Sequence, residues 1–367
     1  MTFQDFFPEP YRRLDRKAWL VIIGCIGIFV AALGLRLQVN QWAIDQRIFW
    51  ISTDPQQRVW ISLPHELVVT HLDGTVQTRY SWQDLGAQRP MVNLAFTDQT
   101  IWMRQIDGSV MRCNIQMTNC QQIERVWSED GYASLAVLPN QDIALLDNRQ
   151  GNIWVYQPID SRPKQTHQPT SRPSVDLTFG SRGLSRANGS VWDVAEQQWV
   201  VANTGNFRLD AWPVINDVVD FQRPAKTLFA TEGQPFFIEK IGKYWLSLEG
   251  GISLTHGWLN QYRPDGQVRE IPLGIADPTS LIRIDNSVLV SDMAQAKIVR
   301  VDIDPKTGDF IKAPWVSPEL QQNFRQIDQR KQWLTWLAHG CLAAMVLVLI
   351  GCLLWLKKQG YDLNQAI

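Results

Sequence analysis

Catalytic and nucleic-acid-binding signatures are what this sequence lacks. No G-x-S-x-G, phosphate-binding loop or dinucleotide fingerprint occurs, so nucleophile-elbow hydrolysis and nucleotide chemistry have no motif to rest on. The histidines outside the apolar segments (His65, His71, His167 and His256) have no clear Ser, Cys or Asp partner. Charge is sparse, at 19% of residues, and balanced, with 35 Lys and Arg against 36 Asp and Glu; without a dense basic run, no nucleic-acid partner is expected. Cysteine is scarce too: of five, Cys25, Cys341 and Cys352 fall in apolar segments. The remaining two, Cys113 and Cys120, flank "NIQMTN" between two strand-like runs, without a C-x-x-C spacing or nearby His that would argue for metal. Their spacing lets them meet across a hairpin, where a disulfide would contribute about 2 to 3 kcal/mol. Two unpaired thiols are the alternative; a disulfide would fit a periplasm or lumen.

What the sequence does have is apolar length at both ends. Ala18 to Leu35 carries no charge over eighteen residues, about 27 Å as a helix and just sufficient to cross a bilayer. Arg12, Arg13, Arg16 and Lys17 precede it and Arg36 follows, which puts the N-terminal side in the cytoplasm. The small-x-small pattern of a cleaved signal peptide is poor here, so an uncleaved anchor is expected. Trp333 to Leu356 gives twenty-four residues, about 36 Å of helix. Trp333, Trp336 and Trp355 stand at its ends and Lys357 and Lys358 follow, returning the C-terminus to the cytoplasm. His339, inside this span, reads as a hydrogen-bonded interfacial histidine, because the first span offers no His to pair with it at a haem. The expected order is a cytoplasmic tail (1–17), a span (18–35), an extracytoplasmic domain (36–316), a juxtamembrane helix (317–332), a span (333–356) and a cytoplasmic tail (357–367). In that helix Ser317 is the expected N-cap and Pro318 the first helical residue. A bacterial inner membrane with a periplasmic domain is the preferred setting.

Between the spans, short runs of Val, Ile, Trp, Tyr and Phe alternate with Asp-Gly, Asn-Gly or Gly-Gly turns, and no amphipathic helix of a dozen residues interrupts them. Taking Leu67, Trp102, Ile143, Trp199, Trp245 and Leu289 as equivalent gives intervals of 35, 41, 56, 46 and 44 residues, a blade period. The long interval holds the Pro- and Ser-rich "QPIDSRPKQTHQPTSRPS", read as a surface loop. The expected fold class is therefore all-β, a six-bladed β-propeller flanked by two transmembrane α-helices, because stacked blades supply the core that one sheet cannot. Ring closure is expected by pairing "RIFWIS" (47–52) with "DFIKAPWV" (309–316).

Within this region, "WVVANTGNFRLDAW" resembles the NHL repeat, and "VLVSDMAQAKIVRVDI" resembles the same unit without its glycine. The resemblance covers about Trp50 to Trp315, with Asn203 where the family usually has Asp. The structural turn assigned to it is Asn203, Gly205 and Asn206: Gly205 would take φ > 0, the two Asn would hydrogen-bond turn backbone, and Arg208 would brace a neighbouring loop.

NHL-like propellers also resemble the gluconolactonase, paraoxonase and strictosidine synthase groups, which imply divalent-metal ligands at the inner-strand openings. Here those openings read "RPMVNLAF", "RPSVDLTF", "GQPFFIEKI" and "DPTSLIRI". They nominate Asn93, Asp176 and Glu239 as a metal constellation, with Ca2+ the implied ion; the lactonase-type Asn-Gly-Leu opening is absent and no cofactor is expected. The leading reading is a non-catalytic binding or assembly module for a protein or glycan partner, anchored by two membrane spans. The alternative is a propeller-type metal-dependent hydrolase or lactonase.

Overall fold

The computed structural model describes residues 16–45, 49–124, 133–147, 151–160, 162–167, 171–172, 184–250, 257–293 and 295–359. Two units result: Arg47–Asp328, and Met1–Gln46 together with Gln329–Ile367.

In the second unit two helices pair. Helix α1 spans Arg16–Asp45, and helix α2 spans Pro318–Lys358, so the apolar segment and the polar stretch before it form one element. Both are long and apolar enough to cross a membrane. Ala18 packs with Leu356 at one end and Val39 with Leu334 and Ala338 at the other, which makes the pair antiparallel. The outward surfaces stay apolar, with Leu20, Ile23, Leu347 and Leu354 exposed. A helix has no unsatisfied backbone to offer lipid, so such a surface suits hydrocarbon.

The other unit is a six-bladed propeller. Blade 1 consists of Trp50–Thr53, Val59–Ser62, Glu66–Thr70 and Val76–Ser81; blade 2 of Met91–Phe96, Thr100–Gln105, Val110–Asn114 and Gln121–Gln122. Blade 3 is built from Ala133–Val137, Ile143–Asp147, Ile153–Tyr156 and Gln165–His167. In blade 4, Ala187–Asp193, Gln198–Asn203, Arg208–Ile215 and Ala225–Ala230 are joined at the outer edge by Ser171–Arg172, and Val218–Val219 extends the third strand as a hairpin. Blade 5 holds Gln234–Ile241, Tyr244–Gly250, Gly257–Tyr262 and Val268–Ile271; blade 6 holds Pro278–Ile284, Ser287–Asp292, Lys297–Ile303 and Phe310–Pro314. Each inner strand lies beside the inner strands of its two neighbours, blade 6 meeting blade 1.

Every gap between blades is filled by its own apolar cluster. Trp60, Met91 and Met103 fill the gap between blades 1 and 2, and Trp102, Leu135 and Tyr156 that between 2 and 3. Leu146, Trp199 and Trp212 serve 3 and 4, Val200 and Ile238 serve 4 and 5, and Leu248 and Val290 serve 5 and 6. A half-buried strand in a twisted sheet can cover only one neighbour per face, so the ring is what completes each blade's burial.

Two expectations are corrected here. Closure does not pair 47–52 with 309–316: Trp50–Thr53 is the inner strand of blade 1 and Phe310–Pro314 the outer strand of blade 6. The joint is made by side chains instead. Ile51 N–H donates to Ser280 Oγ (2.9 Å), Thr279 Oγ1 to the Phe49 carbonyl (2.7 Å) and Trp315 Nε1 to the Leu72 carbonyl (2.7 Å). The first turns of α2 complete it, with Leu320 and Phe324 buried among Phe49, Ile51 and Ile282. Ser317 caps this helix start, its Oγ accepting from Leu320 N–H (3.3 Å), as its sequence implies.

Leu67 is also one strand out of register. It lies on the third strand of blade 1, whereas Trp102, Ile143, Trp199, Trp245 and Leu289 lie on second strands. Trp60 occupies the second strand of blade 1. The cause is the turn: Asp73-Gly74 and Asp107-Gly108 have the same geometry, Gly φ 84° and 85° with Asp Oδ1 accepting the N–H two residues on, yet they join different strand pairs.

Candidate functional site

At the face where the inner strands begin, one polar residue near the end of the second strand is spent on a repeated task in blades 2, 4, 5 and 6. Gln105 Oε1 accepts from Arg89 N–H (2.8 Å), Asn203 Oδ1 from Ser185 N–H (2.9 Å), Glu249 Oε2 from Gly233 N–H (2.7 Å) and Asp292 Oδ2 from Ala276 N–H (3.1 Å). In each case the donor sits two residues before the residue that pairs with the acceptor: Met91, Ala187, Pro235 and Pro278. The corresponding loops of blades 1 and 3 lie outside the described residues. These acceptor side chains are all buried, so each finds in a loop N–H the partner that a buried polar group needs. The task was legible only as a polar residue closing an apolar run, as in "WMRQ", "VVAN", "LSLE" and "VLVSD".

The turn Asn203, Gly205 and Asn206 belongs to this device, with a changed account of its glycine. Thr204–Asn206 is a 3-10 turn and the left-handed residue is Phe207 (φ 53°), not Gly205. Gly205 is required by space: a Cβ there would overlap Ser185 Oγ and lie 3.0 Å from the Ser185 carbonyl, to which Gly205 N–H donates. Asn203 bonds the loop of its own blade, and its Nδ2 donates to Asp210 Oδ2 (2.7 Å). Asn206 is buried within the turn. Arg208 pairs with Asp210 (2.9 Å) at almost complete burial, and Thr227 Oγ1 also donates to Asp210 (2.8 Å). Thr204 Oγ1 donates to the Pro235 carbonyl (2.5 Å), tying the turn to blade 5.

Blade 5 solves the same position with an acid. Glu249 also accepts from Tyr262 Oη (2.7 Å) and Asn260 Nδ2 (3.2 Å), while Tyr262 Oη accepts from Glu232 N–H (3.1 Å). Burial pushes the Glu249 carboxyl above its ordinary range, against the pull of these donors.

The nominated metal residues are placed as follows. Asn93 Oδ1 accepts from Leu135 N–H (3.0 Å), stitching the inner strand of blade 2 to that of blade 3. Burial pushes the Glu239 carboxyl up to about 8, opposed by the charge and backbone N–H of Arg283 on the next inner strand. Asp176 lies outside the described residues, and the inner strand of blade 4 is Ala187–Asp193 rather than "RPSVDLTF". Asn93 and Glu239 thus face bonds to the following blade, the same direction in which Ile51 N–H meets Ser280 Oγ. Among the described residues, no group of three His, Cys, Asp or Glu could hold a metal ion. Near the start of the inner strands the Trp50 ring meets Phe237 edge-on, centroids 5.1 Å apart, joining blades 1 and 5 past blade 6.

Cys113, on the third strand of blade 2, forms a disulfide with Cys120, the residue before its outer strand, Cα atoms 4.1 Å apart. At the opposite face, blade 4 carries a feature the repeat did not announce. The hairpin turning at Asn216 and Asp217, both at positive φ, leaves Ile215 (48% exposed) and Val218 (54%) bare. Val194 (63%) joins them through a bonded path, since Gln197 N–H donates to the Val194 carbonyl and Val214 N–H to that of Gln197. The signal was "PVINDVV", an apolar pair flanking an Asn-Asp turn.

No protein-family model matches this sequence, and no curated protein matches it. Solved structures are similar in fold. Virginiamycin B lyase from Staphylococcus aureus gives a TM-score of 0.49 at 14% identity, covering 72% of this chain and 83% of that one. A chain of the nidogen/laminin complex gives 0.48 at 13% identity, over 70% and 92%. YCF48 from Cyanidioschyzon merolae gives 0.45 at 13%, over 74% and 86%.

Proposed function

We propose that this protein is a membrane-tethered, non-catalytic module whose NHL-like propeller binds a protein partner through the apolar tip of blade 4. The observation that carries the reading is the bare Ile215 and Val218 pair on a hairpin added to blade 4, with exposed Val194 at the end of the inner strand on the same face. Contiguous exposed aliphatic surface costs solubility and marks interaction sites, whereas single exposed residues do not. An aliphatic surface without donors suits a protein better than a glycan. The tip lies at the end of the inner strand of blade 4, and the chain enters and leaves the propeller at the other face, where Thr279 meets Phe49. With the basic residues 12–17 and Lys357 and Lys358 in the cytoplasm, the propeller is periplasmic, in keeping with its disulfide.

Affinity capture of the full chain from detergent-solubilised membranes tests this. The Val194→Glu, Ile215→Glu, Val218→Glu variant should lose a reproducible partner while keeping its melting temperature. Recovery of no reproducible partner, or of the same partner by the variant, would overturn the reading.

A further inference from the structure

At the outer rim of blade 6 a cavity of about 460 Å³ is lined by Lys297, Lys312 and Arg325, with Asp328 its one carboxylate. Lys297 Nζ donates to the Gly274 carbonyl (2.5 Å) and Gln295 Oε1 (2.6 Å), and Lys312 Nζ to the Pro272 carbonyl (2.6 Å). All three acceptors are neutral, so they orient the ammonium groups without cancelling their charge. Among the described residues no hydrogen bond or ion pair engages Arg325. Leu273, Ile298 and Phe324 give the cavity an apolar wall. The cavity is therefore cationic and amphipathic, a combination that fits a ligand with an anionic head and an apolar body.

Its place in the chain narrows the source. Arg325 and Asp328 stand on α2, and Asp328 lies five positions before Trp333, where the apolar part of that helix begins. Even fully extended, five residues reach only about 18 Å. We propose that this cavity binds the phosphate headgroup of an anionic phospholipid of the bilayer that α2 enters. Arg325 supplies the planar, two-pronged contact to phosphate, Lys297 and Lys312 act as point charges, and Phe324 and Ile298 cover the glycerol and first methylenes. The inference needs α2 in a bilayer and does not depend on a partner at blade 4.

Native mass spectrometry of the full chain in detergent, with equimolar phosphatidylglycerol and phosphatidylcholine, reads this directly. Wild type should retain phosphatidylglycerol in preference by about tenfold, given three cations at the site. The Lys297→Gln, Lys312→Gln, Arg325→Gln variant should bind both lipids alike. Because Lys297 and Lys312 also brace backbone carbonyls, Arg325→Gln alone is the control: it should lower the preference severalfold with an unchanged melting temperature. Equal binding of both lipids by wild type, or a preference that survives in Arg325→Gln, would overturn the proposal. Displacement of phosphatidylglycerol by millimolar glycerol phosphate would overturn the lipid assignment and identify a site for a soluble phosphomonoester.

Discussion

Near the end of its second strand blade 4 carries Asn203 and blade 5 carries Glu249, and each holds the loop that enters its own inner strand. Behind Asn203 stands a complete ion pair, Arg208 with Asp210, further bonded by Thr227. Behind Glu249, among the described residues, stand neutral donors, Asn260 and Tyr262. One blade therefore buries a charge with its counter-charge, while the other buries a carboxyl whose own ionisation is discouraged. The same loop is fixed by two electrostatic regimes, and the regimes differ in what breaks them.

The largest expected effect follows from the paired charge. Arg208→Leu leaves Asp210 buried and uncompensated, and should cost about 3 to 5 kcal/mol in urea unfolding of the full chain in detergent. If the loss were below about 1 kcal/mol, the contrast between the blades would collapse. Next comes Gly205→Val, which drives a side chain onto Ser185 and should cost about 1 to 3 kcal/mol by overpacking. An unchanged melting transition would mean that the loop yields freely and that Asn203 is not a firm restraint. Tyr262→Phe in blade 5 removes one donor to Glu249 and the acceptor for Glu232 N–H, and should cost about 1 to 2 kcal/mol.

The fold was legible because its signal is repetitive. Apolar second strands recur at a blade period, and Asn203 followed by Gly205 marks a tight turn in any register. What hid the rest is that hairpin turns look alike: Asp73-Gly74 and Asp107-Gly108 satisfy the same local bonds at different places in a blade, which displaced blade 1 by a strand. Closure was hidden for another reason. Phe324 becomes part of the seam only through contact with Phe49, rings 4.9 Å apart, and no local pattern encodes a contact between the two ends of a domain. The surroundings of the nominated residues were hidden in a similar way. Asn93 looks like a ligand by residue type, but the N–H of Leu135 on the next blade reaches it, and strand order alone does not reveal that donor. The tip of blade 4 was visible as letters and became a site only when Ile215 and Val218 were seen to lack cover.

The smallest effect is the one that separates the two regimes most sharply. Burial raises the Glu249 carboxyl pKa in the folded state above its ordinary 4.5. Between the unfolded and the folded pKa, the native protein binds more protons than the unfolded chain, so its stability falls as pH rises through that window. Below pH 4.5 that penalty is absent. Glu249→Gln removes the titration but keeps the acceptor for Gly233 N–H. Its amide nitrogen must then face Tyr262, because a hydroxyl can exchange donor and acceptor roles and a backbone N–H cannot. The variant should therefore match wild type within about 1 kcal/mol at pH 4 and exceed it at pH 8. Melting temperatures taken across that range would show the two curves diverging. Parallel curves would mean that Glu249 titrates normally and that blade 5, like blade 4, keeps a full charge in its core.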